Sequence, residues 1–143
     1  MTVIAWDGTT LAADKRAVNG TLISTLTKIF RVGRVLAAYS GGPDFGEEIL
    51  AWYTAGHDPA TFPPSQRDKD DWSGLLIVHE CGTLHKYERT PYPIRFPPQN
   101  FALGSGREFA LAAMYCGRTA EEAVLVACEL DNGCGNGVDV LTF

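Results

Sequence analysis

The sequence predicts an α+β fold in which antiparallel sheets are stacked between helical layers. Three observations lead to this prediction. Short apolar stretches occur in pairs separated by turn residues, which is typical of β-hairpins. Longer segments with apolar residues at helical spacing follow these pairs instead of alternating with single strands. The chain has 143 residues, which is the size of one domain, so residues 1–143 are expected to form a single domain.

The first 42 residues predict two hairpins, whose turns are Asp7-Gly8 and Gly33-Arg34. Their strands are expected at residues 2–5, 11–14, 28–32 and 35–40. A helix should follow Gly42-Pro43, because proline is tolerated in a first helical turn. That helix carries Phe45, Ile49, Trp52 and Tyr53 at helical spacing, and Gly56 is suited to end it. Residues 57–71 are polar, contain prolines and lack periodicity, and therefore predict a loop.

The second half begins with a third predicted hairpin, formed by residues 74–78 and 83–87. Residues 90–99 contain four prolines and should be extended or irregular. A short strand at 101–103 leads into a helix at 107–115. Thr119 and Glu122 form a capping box for a helix at 120–130. A glycine-rich turn at 131–137 and a strand at 138–143 complete the chain.

Composition excludes several functional classes. The net charge is −5 and no basic stripe is visible, which argues against a nucleic-acid surface. The apolar runs are too short to span a membrane. The N-terminal region lacks the basic and apolar segments of a secretory signal, so a cytoplasmic location is expected.

Cysteine and histidine spacing does not indicate a metal centre. None of the four cysteines forms a Cys-x-x-Cys pair. His79, Cys81 and His85 lie close together in sequence, but their spacing does not match that of metal ligands. A hairpin turn through residues 80–83 with ordinary side chains is the favoured interpretation.

Thr2 is the most informative residue for function. Methionine aminopeptidases remove an initiator Met that precedes a small residue, so the mature chain is expected to begin at Thr2. An N-terminal threonine carries a hydroxyl nucleophile and a free amine that can act as its base. An α-amine has a pKa of about 7.7–8.0, so part of it is neutral near pH 7. If Met1 were retained, this amine would be blocked.

Other residues suited to such chemistry follow in order along the chain. They are Asp14, Lys28, Gly41-Gly42, Gly104-Ser105-Gly106 and Asp131-Asn132-Gly133-Cys134-Gly135. This ordered set resembles the β-type subunits of the proteasome and HslV, which are N-terminal-threonine peptidases of the Ntn-hydrolase superfamily. The resemblance runs from Thr2 to about Phe143 and is weaker between His57 and Trp72. It implies a four-layer αββα sandwich and peptide-bond hydrolysis that needs no cofactor and no metal.

The resemblance also implies a role for each residue. Thr2 is the nucleophile, Lys28 lies beside its hydroxyl, and Asp14 orients Lys28. The Gly41 N–H binds the oxyanion of the tetrahedral intermediate, and Ser105 approaches the terminal amine. Asp131 and Cys134 surround the amine, although the family usually has serine where this chain has Cys134.

Ordinary structural roles are open for the same residues. Asp14 could be a turn residue, Ser105 a helix N-cap, and the two glycines a strand-to-helix turn. Lys28 has apolar residues two and four positions along, which favours a buried place. A buried lysine must be paired or lose its charge, and Asp14 is the natural counter-ion. A Gly-x-Ser-x-Gly elbow, a P-loop and a His-Glu-x-x-His motif are all absent.

The implied partners are a polypeptide substrate, further copies of the chain in a closed ring, and an ATPase unfoldase. The apolar helix at 44–53 and the aromatic loop at 92–101 are expected to offer surface for ring assembly. The family has a second long helix where this chain has the loop at 57–71. Two other functions fit the same sequence: a non-catalytic Ntn-fold assembly subunit, and an Ntn amidase acting on a small amide.

Overall fold

Two large antiparallel sheets, each covered by helices on its outer face, and one separate two-stranded hairpin make up the described part of the chain. A computed structural model describes residues 1–67 and 73–143. The strands are β1 (Ile4–Trp6), β2 (Thr10–Asp14), β3 (Arg16–Asn19), β4 (Leu22–Thr25), β5 (Ile29–Val32), β6 (Val35–Ser40), β7 (Gly74–Val78), β8 (Leu84–Tyr87), β9 (Ile94–Phe96), β10 (Phe101–Leu103) and β11 (Val138–Thr142). The helices are α1 (Pro43–Thr54), α2 (Pro64–Arg67), α3 (Arg107–Tyr115) and α4 (Ala120–Leu130), with a 3-10 turn at Pro59–Thr61.

The first sheet has four strands in the order β10-β1-β2-β11, all antiparallel. Its central hairpin is closed by Asp7, whose Oδ1 accepts hydrogen bonds from the backbone N–H groups of Thr9 and Thr10. The other oxygen of Asp7 accepts from the N–H of Ala120, the first residue of α4. Burial opposes ionisation, but these hydrogen bonds prevail and lower the pKa of Asp7. One turn residue thus fixes both the hairpin and the start of a helix.

The second sheet has five strands in the order β5-β6-β7-β8-β9 and packs face to face on the first. Side chains alternate between the two faces of each strand. Ile4, Trp6 and Leu11 of the first sheet therefore meet Leu36 and Leu76 of the second in an apolar core between the sheets. Burial of these side chains is the main force that holds the sheets together.

Helices cover both outer faces. Small residues of α3 and α4, among them Ala110 and Ala123, pack against Val3 and Ala5 of the first sheet. On the other side Ile49 and Trp52 of α1 pack against the second sheet. The layers follow the order helices, sheet, sheet, helix, so the predicted αββα sandwich is confirmed.

Most predicted elements are present, and the capping box of α4 is formed by Thr119 and Glu122. The hairpin β3–β4 was not predicted. Most of its residues are exposed or half-buried, so it carries no apolar face that a sequence pattern would reveal. Its two-residue turn contains Gly20, whose φ of +61° suits a tight hairpin turn.

The prediction of a loop at 57–71 was wrong where the structure describes it. Residues 57–67 contain the 3-10 turn and α2, whereas positions 68–71 of that loop lie outside the described residues. Phe62 is buried, and its ring centroid lies 4.9 Å from that of Trp52 in α1. The segment thus covers α1 within the same chain.

The exposed apolar surface also differs from the expectation. The large apolar side chains of α1 are buried or half-buried, so this helix does not offer the uncovered face that was predicted. Strongly exposed apolar residues lie instead on α3 and α4, as shown by Tyr115 (92%), Leu130 (61%) and Leu125 (52%). Leu22 (65%) and Ile23 (55%) of β4 are exposed as well. In the predicted aromatic loop, Tyr92 and Ile94 are exposed. Among the described helices, none is long and apolar enough to cross a membrane.

Candidate active site

Thr2 lies two residues before the start of β1 and is 5% exposed. Its carbonyl oxygen accepts a hydrogen bond of 3.1 Å from the N–H of Gly106. Gly104 comes so close that a Cβ built on it would lie 2.1 Å from the same oxygen, and its φ is +89°. Any other residue at position 104 would collide with Thr2 and strain the backbone. The Gly-Ser-Gly segment therefore holds the residue that carries the proposed nucleophile.

The carboxylate of Asp14, at the end of β2, is buried and fully hydrogen-bonded. Its Oδ1 accepts from the Lys28 ammonium at 2.7 Å and from the N–H of Val3 at 3.0 Å. Its Oδ2 accepts from the N–H groups of Arg16 at 3.2 Å and Gly135 at 3.0 Å. The Lys28 and Asp14 side chains are 4% and 0% exposed. Each of the two buried charges thus compensates the other, as an apolar environment requires.

Ser105 connects the Thr2 nitrogen to Asp131. Its Oγ lies 3.2 Å from the Thr2 nitrogen and 2.6 Å from Oδ2 of Asp131. A hydroxyl has one proton, so Ser105 donates to the carboxylate and accepts from the Thr2 N–H. The hydrogen bond from Ser105 lowers the pKa of Asp131. Partial burial opposes this shift, and a hydrogen bond from the N–H of Gly133 adds to it. Asp131 is therefore ionised at neutral pH and holds Ser105 as an acceptor toward the Thr2 nitrogen.

Cys134 completes this cluster and is 1% exposed. Its Sγ lies 3.3 Å from Oδ2 of Asp131 and 4.0 Å from Oγ of Ser105. Burial, together with the nearby carboxylates of Asp14 and Asp131, raises the pKa of the Cys134 thiol to about 12. The thiol is therefore protonated near neutral pH and acts as a weak donor to Asp131.

Gly41 is exposed at the end of β6, in a left-handed conformation with a φ of +101°. It lines two cavities, both of which also contain Thr2. We name each cavity after a residue that lines it and does not line the other. The Lys28 cavity also contains Tyr39 and Pro43, and the Ser105 cavity also contains Leu103 and Gly104. Met1 lines both cavities next to Thr2. The structure thus places all seven predicted site residues in or directly behind one cleft.

Sequence analysis did not single out the residues that hold the glycine-rich turn at 131–137. Arg16 donates to the Asn132 carbonyl oxygen at 2.8 Å and to Oδ1 of Asn136 at 3.1 Å. Asn136 in turn donates to the Ser24 carbonyl oxygen at 3.0 Å. A Cβ on Gly135 would lie 2.7 Å from the Arg16 guanidinium, so a larger residue there would displace this side chain from its hydrogen bonds. The glycine-rich composition was the only sequence signal of this packing.

The histidines near the third hairpin form a pair away from Thr2. Nε2 of His79 lies 3.2 Å from Nδ1 of His85. Burial lowers the pKa of both rings. Neighbouring positive charge lowers each pKa further, from His57 in the case of His79 and from His79, Arg95 and His57 in the case of His85. Within residues 1–67 and 73–143, no group of three or more His, Cys, Asp or Glu residues is arranged to hold a metal ion.

Comparison with known proteins identifies the fold. No protein-family model and no curated protein sequence matches the chain. Among solved structures, BPH from Thiobacillus denitrificans in complex with epoxomicin superimposes with a TM-score of 0.70 at 20% identity, covering 99% of this chain and 97% of that one. A second structure of the same BPH gives a TM-score of 0.71 at 21% identity, covering 99% and 96%. Eukaryotic HslV from Trypanosoma brucei gives 0.70 at 17% identity, covering 98% and 97%. The chain therefore has the fold of HslV and BPH.

Proposed function

We propose that this protein is a threonine-type peptidase whose nucleophile is the hydroxyl of Thr2. The observation that carries the proposal is the position of the Thr2 nitrogen, 3.2 Å from a serine that is itself bonded to an ionised aspartate. The buried Lys28–Asp14 pair lies beside the same segment, because Asp14 accepts from the N–H of Val3 and Lys28 lines one cavity with Thr2. The likeness in fold to HslV and BPH supports this reading.

In the proposed acylation step the Thr2 amine takes the proton of the Thr2 hydroxyl, through a water molecule, and Oγ attacks the peptide carbonyl. The Lys28 ammonium stabilises the alkoxide, and the Gly41 N–H binds the oxyanion. The carbon–nitrogen bond then breaks, and the leaving amine receives the proton from the Thr2 nitrogen. An ester between Thr2 and the acyl part of the substrate remains.

Deacylation reverses these roles. The Thr2 amine removes a proton from a water molecule, which attacks the ester carbonyl. The ester bond breaks, a carboxylic acid leaves, and the Thr2 hydroxyl recovers its proton. The proposed cycle uses no metal and no cofactor.

The proposal requires that Met1 is removed. While Met1 is attached, the Thr2 nitrogen belongs to an amide and cannot act as a base. Met1 also fills space beside the nucleophile, because it lines both cavities and packs against Gly133. Its loss would create the amine at the position that Ser105 already faces.

The test combines mass spectrometry with two variants. Intact mass is expected to show loss of Met1. Thr2→Ala also permits Met1 removal but lacks the hydroxyl, so cleavage of a fluorogenic peptide should fall by about a thousandfold or more. Thr2→Ser keeps both groups and should retain measurable cleavage. Epoxomicin, with which BPH was solved, should inhibit the wild type. Retained Met1, or full cleavage by Thr2→Ala, would contradict the proposal, and retained Met1 would favour the non-catalytic assembly subunit.

We further propose that the protein acts on polypeptides in the cytoplasm as a homo-oligomeric ring, which shields Thr2 from other cytoplasmic proteins. The exposed apolar residues Tyr115, Leu125 and Leu130 support assembly, because such surface is rarely left uncovered on a monomer. An ATPase unfoldase partner rests on the resemblance to the family alone. Light scattering should give a mass several times 15.5 kDa at micromolar concentration. A stable monomer would contradict the ring.

A further inference from the structure

The Ser105 cavity lies on the side of the cleft that would receive the leaving group, an inference that rests on the proposed function. In that mechanism the leaving amine takes its proton from the Thr2 nitrogen, so this part of the substrate must lie next to that nitrogen. The partner of the nitrogen is Ser105, which lines the Ser105 cavity but not the Lys28 cavity. The Lys28 cavity then faces the acyl part of the substrate.

Two cationic side chains line the Ser105 cavity. Lys86 reaches it from β8, and Arg107 reaches it from the first turn of α3. Among the described residues, none that lines this cavity is acidic. The chain as a whole carries a net charge of −5, so a cavity lined only by positive charges departs from its average surface. Such a lining attracts an anionic group and repels a cationic one.

The present partner of Arg107 would not prevent this side chain from binding a substrate. Lys86 pairs with Glu88 at 2.6 Å, and Arg107 pairs with the adjacent Glu108 at 3.1 Å. The Arg107 and Glu108 side chains are 53% and 68% exposed, so that pair is weak and easily exchanged. Arg107 also donates to the Gly104 carbonyl oxygen at 3.1 Å, which holds its guanidinium beside the Gly-Ser-Gly segment.

We propose that the Ser105 cavity selects substrates that carry a carboxylate side chain just after the cleaved bond. Arg107 and Lys86 are the specificity-determining residues. Arg107 is fixed beside Ser105 and suits a carboxylate through its planar fork of donors. The substrate class is thus an acidic peptide segment on the leaving-group side.

The test uses three quenched fluorescent peptides that differ only in the first residue after the cleaved bond, which is Glu, Gln or Lys. All are amidated at the C-terminus, so the side chain is the only added carboxylate. At low salt the Glu peptide should exceed the Lys peptide roughly fivefold in kcat/KM, as expected for partly exposed charge pairs. Added salt should reduce this ratio, because it screens charges at the surface. A Gln peptide with a free C-terminal acid separates an α-carboxylate preference from a side-chain preference.

The ratio of kcat/KM for the Glu peptide to that for the Lys peptide should move toward one in Arg107→Gln, in Lys86→Gln and in the double variant. Arg118→Gln makes the same charge change at an exposed position beyond the other end of α3 and should keep the wild-type ratio. Equal cleavage of the Glu and Lys peptides by the wild type would overturn the inference. So would a double variant that keeps the wild-type ratio of kcat/KM values, or a wild type that prefers only the peptide with the free C-terminal acid. These outcomes leave the proposed function intact. If a chain that begins at Thr2 cleaves none of the peptides, the proposed function is overturned, and the inference with it.

Discussion

The ammonium of Lys28 lies 2.7 Å from Oδ1 of Asp14, and both side chains are almost completely buried. Asp14 also accepts hydrogen bonds from three backbone N–H groups, which belong to Val3, Arg16 and Gly135. These donors come from the segment before β1, from β3 and from the glycine-rich turn. One carboxylate therefore holds a buried charge and joins three separate parts of the proposed site.

The first prediction concerns the stability that this arrangement provides. Asp14→Ala should lower the free energy of unfolding by about 3–5 kcal/mol, because it leaves a buried ammonium without its counter-ion. Urea denaturation at neutral pH measures the change. The adjacent Lys15 provides the control, since it pairs with Asp139 at 3.1 Å but is 28% exposed. Lys15→Ala should cost less than about 1 kcal/mol. Similar losses in both variants would show that the Asp14–Lys28 pair is not buried.

The second prediction concerns acid stability and Ser105. The hydrogen bond from Ser105 helps to lower the pKa of Asp131 in the folded protein. Such a carboxylate stabilises the fold fully above the unfolded pKa of about 3.9, and the contribution is lost as the pH falls through the lower folded pKa. Ser105→Ala should raise the folded pKa toward the unfolded value. The variant should therefore lose less stability than the wild type when the pH falls from about 5 to about 3.

Urea denaturation at the two pH values makes this comparison. Ser73→Ala serves as the control, because Ser73 donates to the Gly42 carbonyl oxygen at 2.8 Å, and a carbonyl oxygen does not titrate in this pH range. It should keep the pH dependence of the wild type. If Ser105→Ala also keeps it, the hydrogen bond between Ser105 and Asp131 does not favour the ionised carboxylate.

The third prediction concerns thiol reactivity. The Cys134 thiol is buried and its pKa is raised to about 12, so it should resist alkylation in the folded protein. Cys81 is exposed, and hydrogen bonds from Thr83 lower the pKa of its thiol. Brief treatment with iodoacetamide at neutral pH should therefore modify Cys81 far faster than Cys134. Peptide mass spectrometry identifies the modified residues.

Unfolding in urea provides the internal control, because both thiols should then react at similar rates. Equal modification of Cys81 and Cys134 in the folded state would show that Cys134 is accessible. It would also remove the thiol from the hydrogen-bonded cluster around Ser105.

The sequence alone determined the layer order of the fold and most of its elements. Continuous apolar runs in β1, β2, β6 and β7 mark strands that are buried on both faces, and turn residues such as Asp7 and Gly33 mark where strands reverse. These signals are local, so they can be read without knowing which strands are neighbours. The ordered polar residues that suggest the chemistry of Thr2 are also visible in the sequence, although their proposed roles are still to be tested.

Tertiary structure decided the features that form only when distant parts of the chain come into contact. The segment at 57–67 is shaped by the packing of Phe62 on Trp52, which no local pattern encodes. The hairpin β3–β4 has few buried side chains and is held partly through Asn136, more than 100 residues away. The charge of the Ser105 cavity likewise arises only when β8 and α3 bring Lys86 and Arg107 to the same cavity. Contacts of this kind depend on the three-dimensional arrangement of the layers, and spacing along the sequence does not specify them.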